Sequence, residues 1–177
     1  MTIAFFILLV FILIFFVFFT VQFYNICFRG FAPFVCTSFK VIRRILEELK
    51  IEDNATIYEL GCGRAGFLHA CRKKYPKAKL VGIEYSFLPY LLGQIQNSFL
   101  KDKLILKKEN LFKVNLKEAN VIYCYLNPDM MRRLENKFRQ ECQTGTIIIS
   151  YAFPLPNMTS EKAIEADKHE KVYFYRI

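Results

Sequence analysis

Ile57 to Phe67 reads IYELGCGRAGF, a pattern of strand, glycine turn and helix start. Gly61, Gly63 and Gly66 satisfy GxGxxG, which alone is a weak signal but gains weight after a buried strand and before a helix. Such a turn lets a ligand approach the backbone and aims a helix N-terminus at it. Glu84 ends the next expected strand about twenty residues on, where a carboxylate can hold ribose hydroxyls. The stretch therefore predicts a nucleotide-like ligand cradled at the end of the first strand.

Glu59 discriminates between ligands. It stands two residues before Gly61, at the end of the strand. A dinucleotide lays its pyrophosphate over this turn, where a carboxylate would repel it. A ligand with an ammonium group would be attracted. S-adenosylmethionine has an amino-acid end, a ribose for Glu84 and no phosphate. At 177 residues the chain also lacks room for the separate substrate domain of a dehydrogenase. The plainer alternative is that Glu59 is a strand-end charge and the glycines only a tight turn.

Outward from the turn the pattern alternates. Strands are expected at ATIYEL, KLVGIE, KLILKK, NVIYCYL, GTIIISY and KVYFYRI. Helical spacing runs over 64–75, 86–99 and 128–140, with Met131, Leu134 and Phe138 on one stripe. This predicts an α/β fold, a Rossmann-like, doubly wound, mostly parallel sheet. An amphipathic helix is expected over 38–50, with Phe39, Ile42, Leu46 and Leu49 on one face.

The N-terminus is different. Ile3 to Phe19 carries no charged residue, and Thr20-Val21 extend the run. About twenty apolar residues in a helix span the hydrocarbon core of a bilayer. The basic n-region and small-residue cleavage site of a secretory signal are missing from the run. Residues 1–23 are thus expected as a transmembrane anchor in contact with lipid through 3–21, residues 24–37 as a connector broken by Gly30 and Pro33, and 38–177 as the folded domain. A buried core helix is the bland alternative. Arg29, Lys40, Arg43 and Arg44 follow the run and no Lys or Arg precedes it. The positive-inside rule then places a single-pass protein with its domain on the cytoplasmic, or matrix-equivalent, side. The formal charge of +9 lies beyond residue 28, suiting anionic headgroups or nucleic acid. Its densest run, Arg72 to Lys79, also reads as cations at a helix C-terminus. The six cysteines form no CxxC pair, and His69 and His169 are isolated. No metal site and no disulfide framework is expected.

ELGCGRAG followed by VGIE resembles motif I and the acidic loop of class I S-adenosylmethionine-dependent methyltransferases. That resemblance covers roughly residues 55–151. It implies that Glu59 contacts the methionine amine, that Gly61, Cys62 and Gly63 line the methionine end, and that Glu84 takes the ribose. It also implies that Asn110 and Leu111 flank the adenine. The family usually has a third glycine where Ala65 stands, with Gly66 one residue later.

YCYLNPDMM, at the end of the fourth strand, is similar to the (Asp/Asn)-Pro-Pro-(Tyr/Phe) motif of enzymes that methylate amide or exocyclic nitrogens. It has one proline, and Met130 where the aromatic belongs. Asn127, Pro128 and Asp129 equally describe a helix start, as N-cap, N1 and first-turn acid. Taken together, the hydrophobic N-terminus, GFAPFVCTS, motif I, YLNPDMMRRLENKF and GTIIISYAFPLP resemble the membrane-associated protein-lysine methyltransferases. These are related to the mitochondrial enzymes acting on the ATP synthase c subunit and the adenine nucleotide translocase, and have prokaryotic relatives. This implies cofactor closure by Phe34, Val35 and Thr37, and loops at Leu126, Pro128 and Phe153-Pro154-x-Pro156. The substrate would be a lysine of a membrane or membrane-adjacent protein. Tyr125 and Asn127 are the first candidates at the reacting amine, with Pro128, Tyr151 and Phe153 around them. Nucleic acid or a glutamine amide is the alternative substrate, and a non-catalytic membrane module the alternative role.

Overall fold

The structure, a computed structural model, describes residues 2–29, 36–167 and 170–177. The chain divides into two units, residues 1–33 and 34–177. The first consists of helix α1 (Thr2–Arg29). Within it, Ile3–Val21 are apolar and unburied over 19 residues. At 1.5 Å per residue they extend ~28 Å, close to the ~30 Å hydrocarbon core of a bilayer. The helix runs six residues into the expected connector, because nothing from residue 24 to 29 breaks it. Gly30 and Pro33, expected to stop it, lie outside the described residues, as do Phe34 and Val35.

The second unit opens with α2 (Phe39–Glu48), whose Ser38 Oγ accepts the Val41 N–H at 3.4 Å. Its buried face is Val41, Ile42, Ile45 and Leu49. That face is rotated from the expected stripe, and Phe39 is exposed. Five parallel strands follow in sequence with their helices: β1 (Thr56–Leu60), α3 (Gly66–Lys74), β2 (Lys79–Glu84), α4 (Phe87–Ser98), β3 (Ile105–Lys108), β4 (Val121–Cys124), α5 (Pro128–Glu141) and β5 (Ile147–Tyr151). Two antiparallel strands close the chain, β6 (Lys162–Asp167) and β7 (Glu170–Arg176). The order is β3-β2-β1-β4-β5-β7-β6. β6 is the strand missing from the sequence reading. KAIEAD is half charged, has little β-propensity and sits at a sheet edge, where no inward-facing alternation is enforced.

Strand order moves one way from β1 and the other way from β4. Right-handed crossovers therefore place α3 and α4 on one face of the sheet and α5 on the other. The connections shorten this methyltransferase-like plan. Residues 109–120 return from β3 to β4 as turns rather than a helix, burying Leu111, Val114 and Leu116. Residues 152–161, between β5 and β6, are likewise without a helix.

Helix α4 docks in an unusual way. Gly93 and Asn97 are its buried residues. Asn97 Nδ2 donates to the Leu104 carbonyl at 2.9 Å, and its Oδ1 accepts the Leu104 N–H at 2.8 Å. A Cβ at Gly93 would lie 2.9 Å from the Gly63 carbonyl. Asn97→Ala leaves a buried donor and acceptor unpaired and is expected to destabilise the protein by about 3 kcal/mol, read by urea denaturation in detergent.

Candidate active site

Strand order reverses between the parallel strands β1 and β4, and ligands of open α/β sheets bind beyond the strand ends at such a switch point. Gly61 and Gly63 follow β1 with φ of +74° and +51°, which only glycine adopts freely. The Gly61 and Cys62 N–H groups donate to the Ile83 carbonyl at 2.8 and 3.0 Å, anchoring the turn to β2. A Cβ at Gly61 would lie 2.8 Å from Leu126 Cδ2, so the loop after β4 seats directly on the turn. Cys62 points inward under it, against Gly82. Burial holds its thiol far above the usual range, and only its backbone is available to a ligand.

Ala65 takes the left-handed conformation, φ +59°, immediately before α3. The third positive-φ position of the turn is thus residue 65, and Gly66 is an ordinary first residue of the helix. A Cβ on Gly66 would meet nothing closer than Ile42 Cδ1 at 4.0 Å. The apparent GxGxxG match at Gly66 therefore does not mark a position where the fold needs glycine.

Two buried carboxylates flank the turn. Glu59 Oε2 accepts the Leu68 N–H at 3.3 Å, so the strand's acid caps the first turn of α3. Glu84 accepts the Gly63 N–H at 2.9 Å and the Ser86 N–H at 2.7 Å. Among the described residues neither has a cationic side chain as partner. Burial pushes the Glu59 carboxyl up to about 8, against the pull of the Leu68 and Phe67 N–H groups and with Glu84 adding to the rise. Each carboxylate keeps acceptor capacity beyond these bonds. A ligand carrying an ammonium and ribose hydroxyls fits this pair, whereas a pyrophosphate does not.

The remaining predicted residues fall into two groups. Asn110 Oδ1 accepts the Phe112 N–H at 2.9 Å, shaping the loop after β3, and Leu111 is buried in that loop. Thr37 reaches across to β4, its Oγ1 2.6 Å from the Tyr123 hydroxyl. Tyr123 stacks on Phe67 at 4.2 Å between centroids, and burial raises its hydroxyl well above the usual range. Tyr123 and Phe67 were not singled out in the sequence, since tyrosines inside a buried strand look like core. At the ends of β4 and β5, Tyr125 and Tyr151 pack at 4.4 Å between centroids. The Tyr151 hydroxyl donates to Glu170. Burial, then the Glu170 charge, raises the Tyr125 hydroxyl. Ala152 at φ +67° turns the chain so that Phe153 N–H returns to the Tyr151 carbonyl at 2.9 Å. Asn127 caps α5, its Oδ1 accepting the Met130 N–H at 2.9 Å with Pro128 in the first helical turn. This is the helix-start reading of YLNPDMM.

A switch-point glycine turn flanked by two such carboxylates, on this strand order, defines a class I methyltransferase, whose cofactor is S-adenosylmethionine. Comparison with known proteins agrees. The family model described as ANTKMT methyltransferase domain matches residues 59–162, and the chain belongs to that family. A curated relative, a protein-lysine N-methyltransferase of Saccharolobus islandicus, is 28% identical over 150 residues, covering 82% of this chain and 93% of the relative. Among solved structures, an RNA methyltransferase from Salinibacter ruber in complex with S-adenosyl-L-homocysteine superposes with TM-score 0.74 at 22% identity. It covers 81% of this chain and 94% of its own. A SAM-dependent methyltransferase from Aquifex aeolicus gives 0.61 at 14% identity, over 77% and 89% of the two chains. At those identities the likeness is one of fold. Among the described residues no group of three or more His, Cys, Asp or Glu is placed to hold a metal ion.

Gly61→Ala combines a positive φ with a clash on Leu126 and is expected to cost about 2 kcal/mol and to weaken cofactor binding in calorimetry. Gly66→Ala is expected to change stability by less than about 1 kcal/mol and to bind normally. The pH dependence of stability gives a second check. The folded state holds the Glu59 proton more tightly than the unfolded chain. Its contribution is therefore full below about 4.5 and is lost as pH rises through about 8. Melting temperatures of the cofactor-free protein should fall across that window, and Glu59→Gln should flatten the fall.

Proposed function

We propose that this methyltransferase acts on nitrogen, on the lysine side chain of a protein in or beside a membrane, and that residues 3–21 tether it there. The observation that carries the reading is a methyltransferase turn and an exposed bilayer-length apolar helix on one chain. The name of the Saccharolobus islandicus relative supports lysine as acceptor. A tether raises the effective concentration of substrates held in the same bilayer. The basic flank at Arg29 to Arg44 favours the domain on the cytoplasmic or matrix-equivalent side.

In this reading Glu59 receives the ammonium of the cofactor's methionine end, beside Gly61 to Gly63. Glu84 takes ribose hydroxyls, and Asn110 and Leu111 border the adenine. Thr37 acts by pinning the segment before α2 to Tyr123. When bound, S-adenosylmethionine supplies a methyl group activated by its sulfonium. The chain's own work is to align and dehydrate the acceptor. Tyr125 and Tyr151 offer an aromatic wall at the ends of β4 and β5, with Pro128 and Phe153 beside it. Desolvation there lowers the pKa of a lysine amine and favours its neutral, nucleophilic form. Asn127 also caps α5 through its Oδ1, which holds the loop that carries it at the end of β4.

Incubating the purified chain and labelled S-adenosylmethionine with membranes from cells lacking the gene should label protein, at lysines identified by mass spectrometry. Label confined to RNA or lipid would overturn the reading. In the same assay Asn127→Asp, which keeps the cap, should retain most activity. Asn127→Ala should cost about 1 kcal/mol of stability without abolishing turnover.

A further inference from the structure

Helix α4 turns Gly93 and Asn97 inward, with Gln94 half-buried beside them, and leaves its large apolar residues outward. Asn97 and Gln94 hold the sheet through the Leu104 backbone and the Leu106 carbonyl. Phe87, Leu88, Leu91, Leu92, Ile95 and Phe99 remain exposed, Phe87 at 64% and Phe99 at 83%. These positions recur at helical spacing, so they form one stripe along the whole helix and its C-cap. The helix itself contains no charged residue. Exposed Lys101 and Lys103 follow its C-terminal end and exposed Lys108 stands on the adjacent edge strand beside its first residue, against a lone acid, Asp102, over residues 99–108. Lys108 Nζ lies 5.8 Å from the Phe87 ring centroid.

We propose that this face is a second membrane contact. In it, α4 lies in the plane of an anionic bilayer surface with its apolar stripe among the acyl chains and its lysines at the headgroups. The inference rests on the membrane placement proposed above. The charge pattern selects the occupant. A second copy of the chain would bring two lysine borders together, while an anionic lipid surface neutralises one. Location gives the contact a purpose. α4 begins three residues beyond Glu84, and Lys108 stands opposite Glu84 in the backbone register of β2 and β3. The docked face therefore borders the cofactor end of the sheet. A domain held by α4 as well as by its tether presents its site at headgroup level, where lysines of membrane proteins are exposed.

The sequence contains no tryptophan, so single reporters can be placed in the full-length chain at Phe87→Trp, at Phe11→Trp in α1, and at Gln143→Trp ahead of β5. Each is reconstituted in phosphatidylcholine vesicles with or without phosphatidylglycerol, and brominated phosphatidylcholine serves as the quencher. Phe87→Trp is expected to shift to the blue and lose about half its emission in the anionic vesicles. It should lose far less in neutral vesicles or high salt, and Gln143→Trp should stay solvent-like throughout. Adding Leu91→Asp and Ile95→Asp should abolish the quenching at position 87 while circular dichroism stays unchanged. If Phe11→Trp is quenched and Phe87→Trp is not, the α4 contact is overturned and the tether stands. If neither is quenched, both fall. Quenching at 87 alone retires only the tether. A blue shift at 87 that ignores brominated lipid and grows with protein concentration identifies a second copy as the occupant and overturns the proposal.

Discussion

A buried carboxylate with no cationic side chain beside it among the described residues is the constraint around which this molecule is organised. Glu59 lies at the end of a central strand, where desolvation opposes its charge and two helix N–H groups only partly offset the cost. Glu84, equally buried, stands at the end of the next strand and fastens the turn through the Gly63 N–H. A protein under selection for stability alone would place apolar residues at both positions. The backbone between them is committed to positive φ at residues 61, 63 and 65. It is also wedged under Leu126 and against Gly93. Packing, strain and electrostatics thus converge on one corner of the sheet, as expected of a binding site that must be preorganised.

The same economy shapes the rest of the domain. Two of the usual crossover helices are replaced by loops, so α5 carries much of its face, with Met131, Leu134 and Phe138 wholly buried. Glu135, also buried on that helix, accepts the Asn157 N–H and the Arg139 guanidinium. The helix thereby secures the bare connection between β5 and β6. On the opposite face, α2 is tied to β6 by Arg44, which donates to the Glu165 and Ala166 carbonyls. α4 is the exception, held by amides and a glycine while its apolar side remains uncovered.

Much of the fold was legible because buried parallel strands read as short apolar runs and their helices as three-to-four-residue stripes. All four domain helices lie within two residues of their expected bounds. The failures have physical causes. β6 is polar because an edge strand need not alternate. The face of α2 is set by α3 and β6, neither visible in its own period. Asn127 is chemically suited to an amide pocket and to a cap, and only the folded chain brings its Oδ1 within 2.9 Å of the Met130 N–H. Tyr123 and Phe67 looked like core because their stacking depends on strand and helix meeting in space.

By itself the sequence determined the order of strands and helices apart from the edge strand β6, the glycine turn with its two acids, and the bilayer-length apolar run. Each is a local pattern, written in spacing and composition. Tertiary structure decided which residues of that turn bear strain, moving the third special position from Gly66 to Ala65. It also decided that the two acids lie buried, with no cationic partner among the described residues, and that the apolar stripe of α4 faces outward. Those properties arise from what packs against each residue. A linear pattern records the residue, while its surroundings come from chain segments far away in sequence.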